Sequence, residues 1–201
     1  CRFLCGYSDM VMPGASMPQI EICPPVIADA NALLDFEKLN RAFFETRINA
    51  RPASFYSYEA VRYSIEEAGQ HRLLGTGYQF LIKSSGNILG RVNLSGIEKR
   101  YYNKATLGYR IAECGSGKGI ATCAVNLVLN LAFKTLGLWR IEALVRDDNV
   151  GSVRVLEKND FAVFGRAKQA MYFNQTWHDV LHFECRSPKG PLVSIGGTAQ
   201  T

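Results

Sequence analysis

Between Cys114 and Ala124 the chain reads CGSGKGIATCA, with glycines at the alternate positions Gly115, Gly117 and Gly119, and an apolar run directly after. Residues of these types at a turn opening a helix are suited to hold an anion. Glycine lets the backbone approach closely, and the first N–H groups of the helix point at the charge. Two familiar nucleotide loops fail on counting. The triphosphate loop needs a glycine five residues before Gly117-Lys118 and Ser or Thr after it, but those positions are Ala112 and Gly119. The dinucleotide pattern needs glycine where Ile120 stands, and a hairpin precedes it instead of a parallel unit. What remains is a strand, a Gly-rich turn and a helix able to hold a pyrophosphate, against the plain alternative of glycine used only for tightness.

A second stretch, DDNVGSVRVLEKNDF, follows the next strand and places Asn149 and Ser152 at the head of a short helix. Asn149 reads as an N-cap and Ser152 as a first-turn hydroxyl, and either side chain could instead serve a ligand. Proton acceptors are scarcer. His178 and Asp179 are neighbours on a strand and so face opposite ways, which makes them surface hairpin residues, not a catalytic pair. Glu113 is a further candidate, and Glu98 follows a strand ending near Ile97, where it either faces an acceptor cleft or is a solvated loop carboxylate. Phe43, Phe44 and Tyr172 line that cleft or belong to the core.

The elements that must position these groups follow from the periodicity. QIEICPPVI is a short strand ended by Pro24 and Pro25; DANALLDFEKLNRAFFE and SYEAVRYSIEEAGQ have helical spacing, the latter with Ser57 as cap. GYQFLIKS, ILGRVNLSGI and ATLGYRIAE alternate as three antiparallel strands. The helix after the Gly-rich turn runs from 117 to 136, with Gly137 at its C-terminal cap. LWRIEALVR is a strand burying Trp139, Ile141, Ala143 and Val145, a short helix runs through Lys158, and a hairpin closes the chain. The expected fold class is α/β (α+β): a mixed, mostly antiparallel sheet with helices on both faces.

The 201 residues suit one domain, expected over 19–186, with a flexible leader at 1–18 and a flexible tail at 187–201. The charge of +5 comes from scattered lysines and arginines, which suits an anionic small ligand as well as weak nucleic-acid contact and does not decide between them; no specific nucleic-acid partner is expected. Six cysteines lie far apart, with no pairing or cysteine–histidine cluster at metal spacing, so reduced thiols, a cytoplasmic protein and no metal site are expected. No apolar run is long enough to span a membrane. A monomer or a homodimer is expected.

Taken together, LGYRIAECGSGKGIATCAV and DDNVGSVRVLEKNDF resemble the GCN5-related N-acetyltransferases (GNAT), in particular the branch that acetylates ribosomal-protein N-termini. The resemblance covers about 19–186 and implies that acetyl-coenzyme A is the cofactor. It places the pyrophosphate on Ser116, Gly117, Lys118, Gly119, Ile120, Ala121 and Thr122, and the pantetheine arm along Tyr109, Arg110 and Ile111, where that strand splays from the next. Asn149 is implied to reach the cofactor. The chain departs from the family at Cys114, usually Gln or Arg, and at Asp160, usually Gly. The tyrosine that most relatives use as acid is Leu156, and a glutamate used by some members is Met171. The ribosomal branch uses a serine at the position of Ser152, and this is assigned hydrogen bonding to the departing sulfur, with Glu98 as the candidate base. The implied acceptor is a protein N-terminal α-amine. The alternatives are a small amine, such as an aminoglycoside or polyamine, and a module that binds acetyl-coenzyme A without turnover.

Overall fold

The computed structural model describes residues 3–4 and 19–191. The remainder of the expected leader, and the tail from 192 on, lie outside the described residues. The sequence reading leaves all of 1–18 out of the fold, but the backbone of β1 (Phe3–Leu4) pairs antiparallel with β2 (Glu21–Cys23) and adds an edge strand.

The expected long helix over 29–45 is two helices, α1 (Ala30–Leu39) and α2 (Arg41–Glu45). Asn40 separates them. Its amide donates to the Phe36 carbonyl at 2.9 Å and its side-chain oxygen accepts from Glu113 N at 3.0 Å, which ties the break to the turn before the Gly-rich loop. A side chain competing for backbone partners is the ordinary reason for such an interruption. In α3 (Tyr58–Leu74) the Ser57 hydroxyl accepts from Ala60 N, and Gly75 ends the helix at φ 68°.

The meander is β3 (Tyr78–Ser84), β4 (Asn87–Glu98) and β5 (Lys104–Ile111). It is followed by α4 (Ile120–Asn130), which continues as a π turn over Leu131–Thr135 before Gly137 at φ 65°. Then come β6 (Arg140–Arg146), α5 (Val150–Glu157) and the hairpin of β7 (Ala162–Phe173) and β8 (Thr176–Arg186). In β6, Ile141, Ala143 and Val145 are buried as the alternation demands, while Leu138, not Trp139, fills the core just before it.

The eight-stranded sheet has the order β1-β2-β3-β4-β5-β6-β8-β7 and is antiparallel except between β5 and β6. Alternation along the strands sorts side chains to two faces. Phe80, Ile82, Val92, Leu94, Ala105 and Leu107 pack against α4 and α5, whereas Leu81 and Ala112 pack against α1, α2 and α3. Full burial of a side chain such as Phe80 or Leu156 stabilises by about 1.5–3 kcal/mol each, so the apolar faces hold both helical layers on the sheet.

The parallel pair decides where a ligand can enter. β5 and β6 are in register only from Lys104, Ala105 and Thr106 to Arg140, Ile141 and Glu142. Beyond that, β5 stays on β4 up to Ile111 while β6 follows β8 up to Arg146. A wedge opens between them.

Candidate active site

The cleft of about 350 Å³ at the mouth of this wedge is lined from four sides: β5, the Gly-rich turn with the first turn of α4, the first turns of α5, and α2. Tyr109, Arg110, Ile111, Ser116, Gly117, Gly119, Ile120, Ala121, Thr122, Asn149 and Ser152 all line it, so the two sequence motifs meet in space. Lys118 is exposed beside the cleft and is not part of its lining. Glu98 is not brought there either: it is exposed at the far end of β4, opposite Lys104, after a register shift that follows Ser95.

At the turn, Gly117 and Gly119 both have φ 76°, the left-handed region that costs an ordinary side chain energy. A Cβ on Gly117 would point into open space. The amides of Ser116 and Lys118 donate back to Glu113 and Gly115 carbonyls at 3.0 and 3.4 Å. Among the described residues, the amides of Gly117, Gly119, Ile120, Ala121 and Thr122 have no acceptor. Orphan donors at the positive end of a helix dipole, on a backbone kept bare, fit the diphosphate of a coenzyme. Arg154 and Lys158, one turn apart on α5, add cations to the same cleft. Sequence reasoning missed these two, although their four-residue spacing within the second motif was the available signal.

Asn149 and Ser152 divide their groups between helix and cleft. Asn149 Oδ1 accepts from Ser152 N at 3.2 Å and so caps α5, while its amide nitrogen has no partner among the described residues. The Ser152 carbonyl accepts from the Tyr109 hydroxyl at 3.2 Å. Burial pushes the Tyr109 phenol up to about 12, only partly offset by the Ser152 side chain, so the Tyr109 hydroxyl is a donor throughout the neutral range. Ser152 thus lines the cleft beside Tyr109, with its hydroxyl within reach of the phenol. Leu156, one turn on from Ser152, is fully buried and offers no acid.

A third residue of that motif is a fastener. Asn159 is 4% exposed and donates to the carbonyls of Thr122 at 3.3 Å and Val155 at 2.9 Å, joining the end of α5 to the first turn of α4. Asp160, where a glycine is usual, adopts φ 60°, so the turn keeps the left-handed geometry with an aspartate in it.

The remaining candidates lie elsewhere. Asp179 accepts from Arg166 and from Gln169 N, which hold its carboxyl below the ordinary range, and His178 faces the Phe173 carbonyl at 3.2 Å. Asp147, Asp148 and His178 bring donor atoms within 4.8 Å of one another, but both carboxylates are engaged by Arg166 and Arg146. Tyr172 is exposed on β7, stacked with Trp177 at 5.4 Å, and Met171 does not line the cleft. Phe43 and Phe44 do line it, along with Arg47 and Ile48. No aspartate, glutamate or histidine is among the lining residues.

Comparison with known proteins gives the family and the fold. The family model described as "Acetyltransferase (GNAT) domain" matches residues 20–162. A probable N-acetyltransferase of Bacillus subtilis (strain 168), YjcK, is 36% identical over 162 residues, covering 80% of this chain and 90% of that protein. Among solved structures, the ribosomal-protein-S5-alanine acetyltransferase of Vibrio fischeri superposes with a TM-score of 0.80 at 23% identity, over 84% of this chain and 93% of that one. RimJ of Mycobacterium smegmatis, in complex with CoA-disulfide, gives 0.79 at 22% identity, over 86% and 84%.

Proposed function

Since the chain belongs to the GNAT acetyltransferase family, we propose that it transfers acetyl from acetyl-coenzyme A to the α-amino group of a protein or peptide N-terminus. The carrying observation is the cleft's chemistry: donors for a diphosphate at one end, Ser152 beside Tyr109 in the lining, and no carboxylate or imidazole lining it. An α-amine with pKa about 7.7–8.0 is roughly a tenth neutral at pH 7, whereas a lysine near 10.4 is neutral only a few times in ten thousand. A cleft without a side-chain base therefore suits the α-amine, whose proton can leave to water. The description of the Vibrio fischeri relative as a ribosomal-protein-S5-alanine acetyltransferase names a protein acceptor and supports this reading.

In this reading acetyl-coenzyme A supplies the acetyl group as a thioester. The amides of Gly117, Gly119, Ile120, Ala121 and Thr122 hold its diphosphate, with Arg154 and Lys158 alongside. The edge of β5 at Tyr109, Arg110 and Ile111, left unpaired by the splay, offers backbone groups to the pantetheine arm and an N–H to polarise the carbonyl. The Asn149 amide also reaches the cofactor. The Ser152 hydroxyl hydrogen-bonds the sulfur as the C–S bond gives way to C–N, and water protonates the thiolate. The setting is the cytoplasm, supported by the cysteine spacing.

The test is thiol release with three acceptors: a peptide with a free N-terminus, the same peptide Nα-blocked but carrying a lysine, and spermidine. The free N-terminus is expected to dominate, with kcat/KM rising along one limb governed by the amine at about pH 8. A second ascending limb near pH 6 would reveal a side-chain base, and preference for the blocked peptide would overturn the α-amine assignment.

A further inference from the structure

Resting on that reading, we propose that the acceptor carries a carboxylate close to its amine, selected by guanidinium groups at the α2 end of the cleft.

Glu37 of α1 is 1% exposed, and its Oε1 faces Arg110 at 2.6 Å, Arg91 at 3.0 Å and Arg51 at 3.8 Å. One carboxylate against three guanidiniums leaves positive charge over. The other partner of Arg91 is the neutral Gln79 side chain at 2.7 Å. Arg51 Nη1 is buried and accepted by no hydrogen-bonding partner. Burial, with smaller contributions from the neighbouring Arg91 and Arg51, pulls Arg110 down to about 9, and Glu37 opposes it.

Two arginines bring positive charge to the cleft itself, each over an aromatic ring. Arg110 lies over Phe44 at 5.3 Å and Arg47 over Phe43 at 4.7 Å, and all four residues line the cleft. Arg47 is exposed and has no carboxylate within ion-pair distance among the described residues. These cations are separate from Arg154 and Lys158, which already serve the phosphate end. Polycations are repelled by such a surface, while a carboxylate gains charge-assisted hydrogen bonds. The carboxylate could belong to an acidic residue near a peptide's N-terminus or to a free amino acid, and the two are separable.

The experiment compares a peptide beginning Ser-Asp-Glu with one beginning Ser-Asn-Gln, together with serine, serinamide and spermidine. It measures thiol release and also fluorescence anisotropy of the labelled peptides on the coenzyme-A-loaded protein. The acidic peptide is expected to exceed its neutral twin about tenfold in kcat/KM. Arg47→Gln should abolish the difference through the acceptor's KM while the KM for acetyl-coenzyme A stays within about twofold. Serine outrunning serinamide with no peptide preference would make the carboxylate that of a free amino acid. Equal peptides with equal serine and serinamide, a preference for spermidine, or an Arg47→Gln effect on acetyl-coenzyme A alone would overturn the proposal while leaving acetyl transfer standing. If coenzyme A binds but nothing is turned over, the catalytic reading fails, and anisotropy without acidic preference overturns this proposal too.

Discussion

In the proposed binding mode, recognition at the α4 end of the cleft is built from backbone: two glycines in the left-handed region and amides without acceptors among the described residues, on a face of the sheet whose core is apolar. At the α2 end it is built from side chains, with a buried carboxylate under three guanidiniums and two arginines stacked on phenylalanines. Backbone recognition needs a local conformation, which one short stretch of chain can encode. Side-chain recognition here needs residues from α1, β4, β5 and the segment after α2 to converge, at distances in sequence of 54 and 73 residues.

The largest test of this contrast falls on the side-chain end. Glu37→Leu leaves buried guanidiniums uncompensated and should lower stability by about 3 kcal/mol, read as a reduced urea midpoint at unchanged slope. Adding Arg110→Met should recover much of that loss, and no recovery would mean that the pair is not energetically coupled. At the backbone end, Gly117→Val puts a branched side chain at φ 76° in the turn, so coenzyme A affinity by calorimetry should fall about 100-fold, beside a strain cost to stability of about 1–2 kcal/mol. Unchanged affinity would remove the turn from the cofactor site.

Smaller effects separate chemistry from scaffolding along α5. Ser152→Ala should lower kcat about tenfold while the KM for acetyl-coenzyme A holds, because only a group meeting the departing sulfur acts on the transition state alone. Asn159→Ala should cost about 1–2 kcal/mol of stability and loosen coenzyme A by joining α4 and α5 less firmly. The smallest change is expected for Glu98→Gln, within experimental error in kcat, since Glu98 stands outside the cleft. A marked loss there would require the acceptor to extend to the far end of β4.

Most of the fold was legible because period and punctuation are local: Ser57 and Gly75 bound α3, and alternation in β6 gives its buried residues. The break at Asn40 was hidden because its cause is Glu113, distant in sequence. Arg154 and Lys158 were within reach of spacing alone; Arg91 and Arg110 were not, since only the packing of β4 and β5 against α1 brings them to Glu37.

By itself the sequence determined the sheet-and-helix class, the bare turn before α4 and the capped start of α5, because each rests on dihedral preferences and hydrogen bonds spanning a few residues. Only the tertiary structure decided that β5 and β6 part after Thr106, that Ser152 meets Tyr109 in the cleft, and that Glu37 is outnumbered by arginines. Those outcomes depend on which distant groups compete for the same space and the same partners.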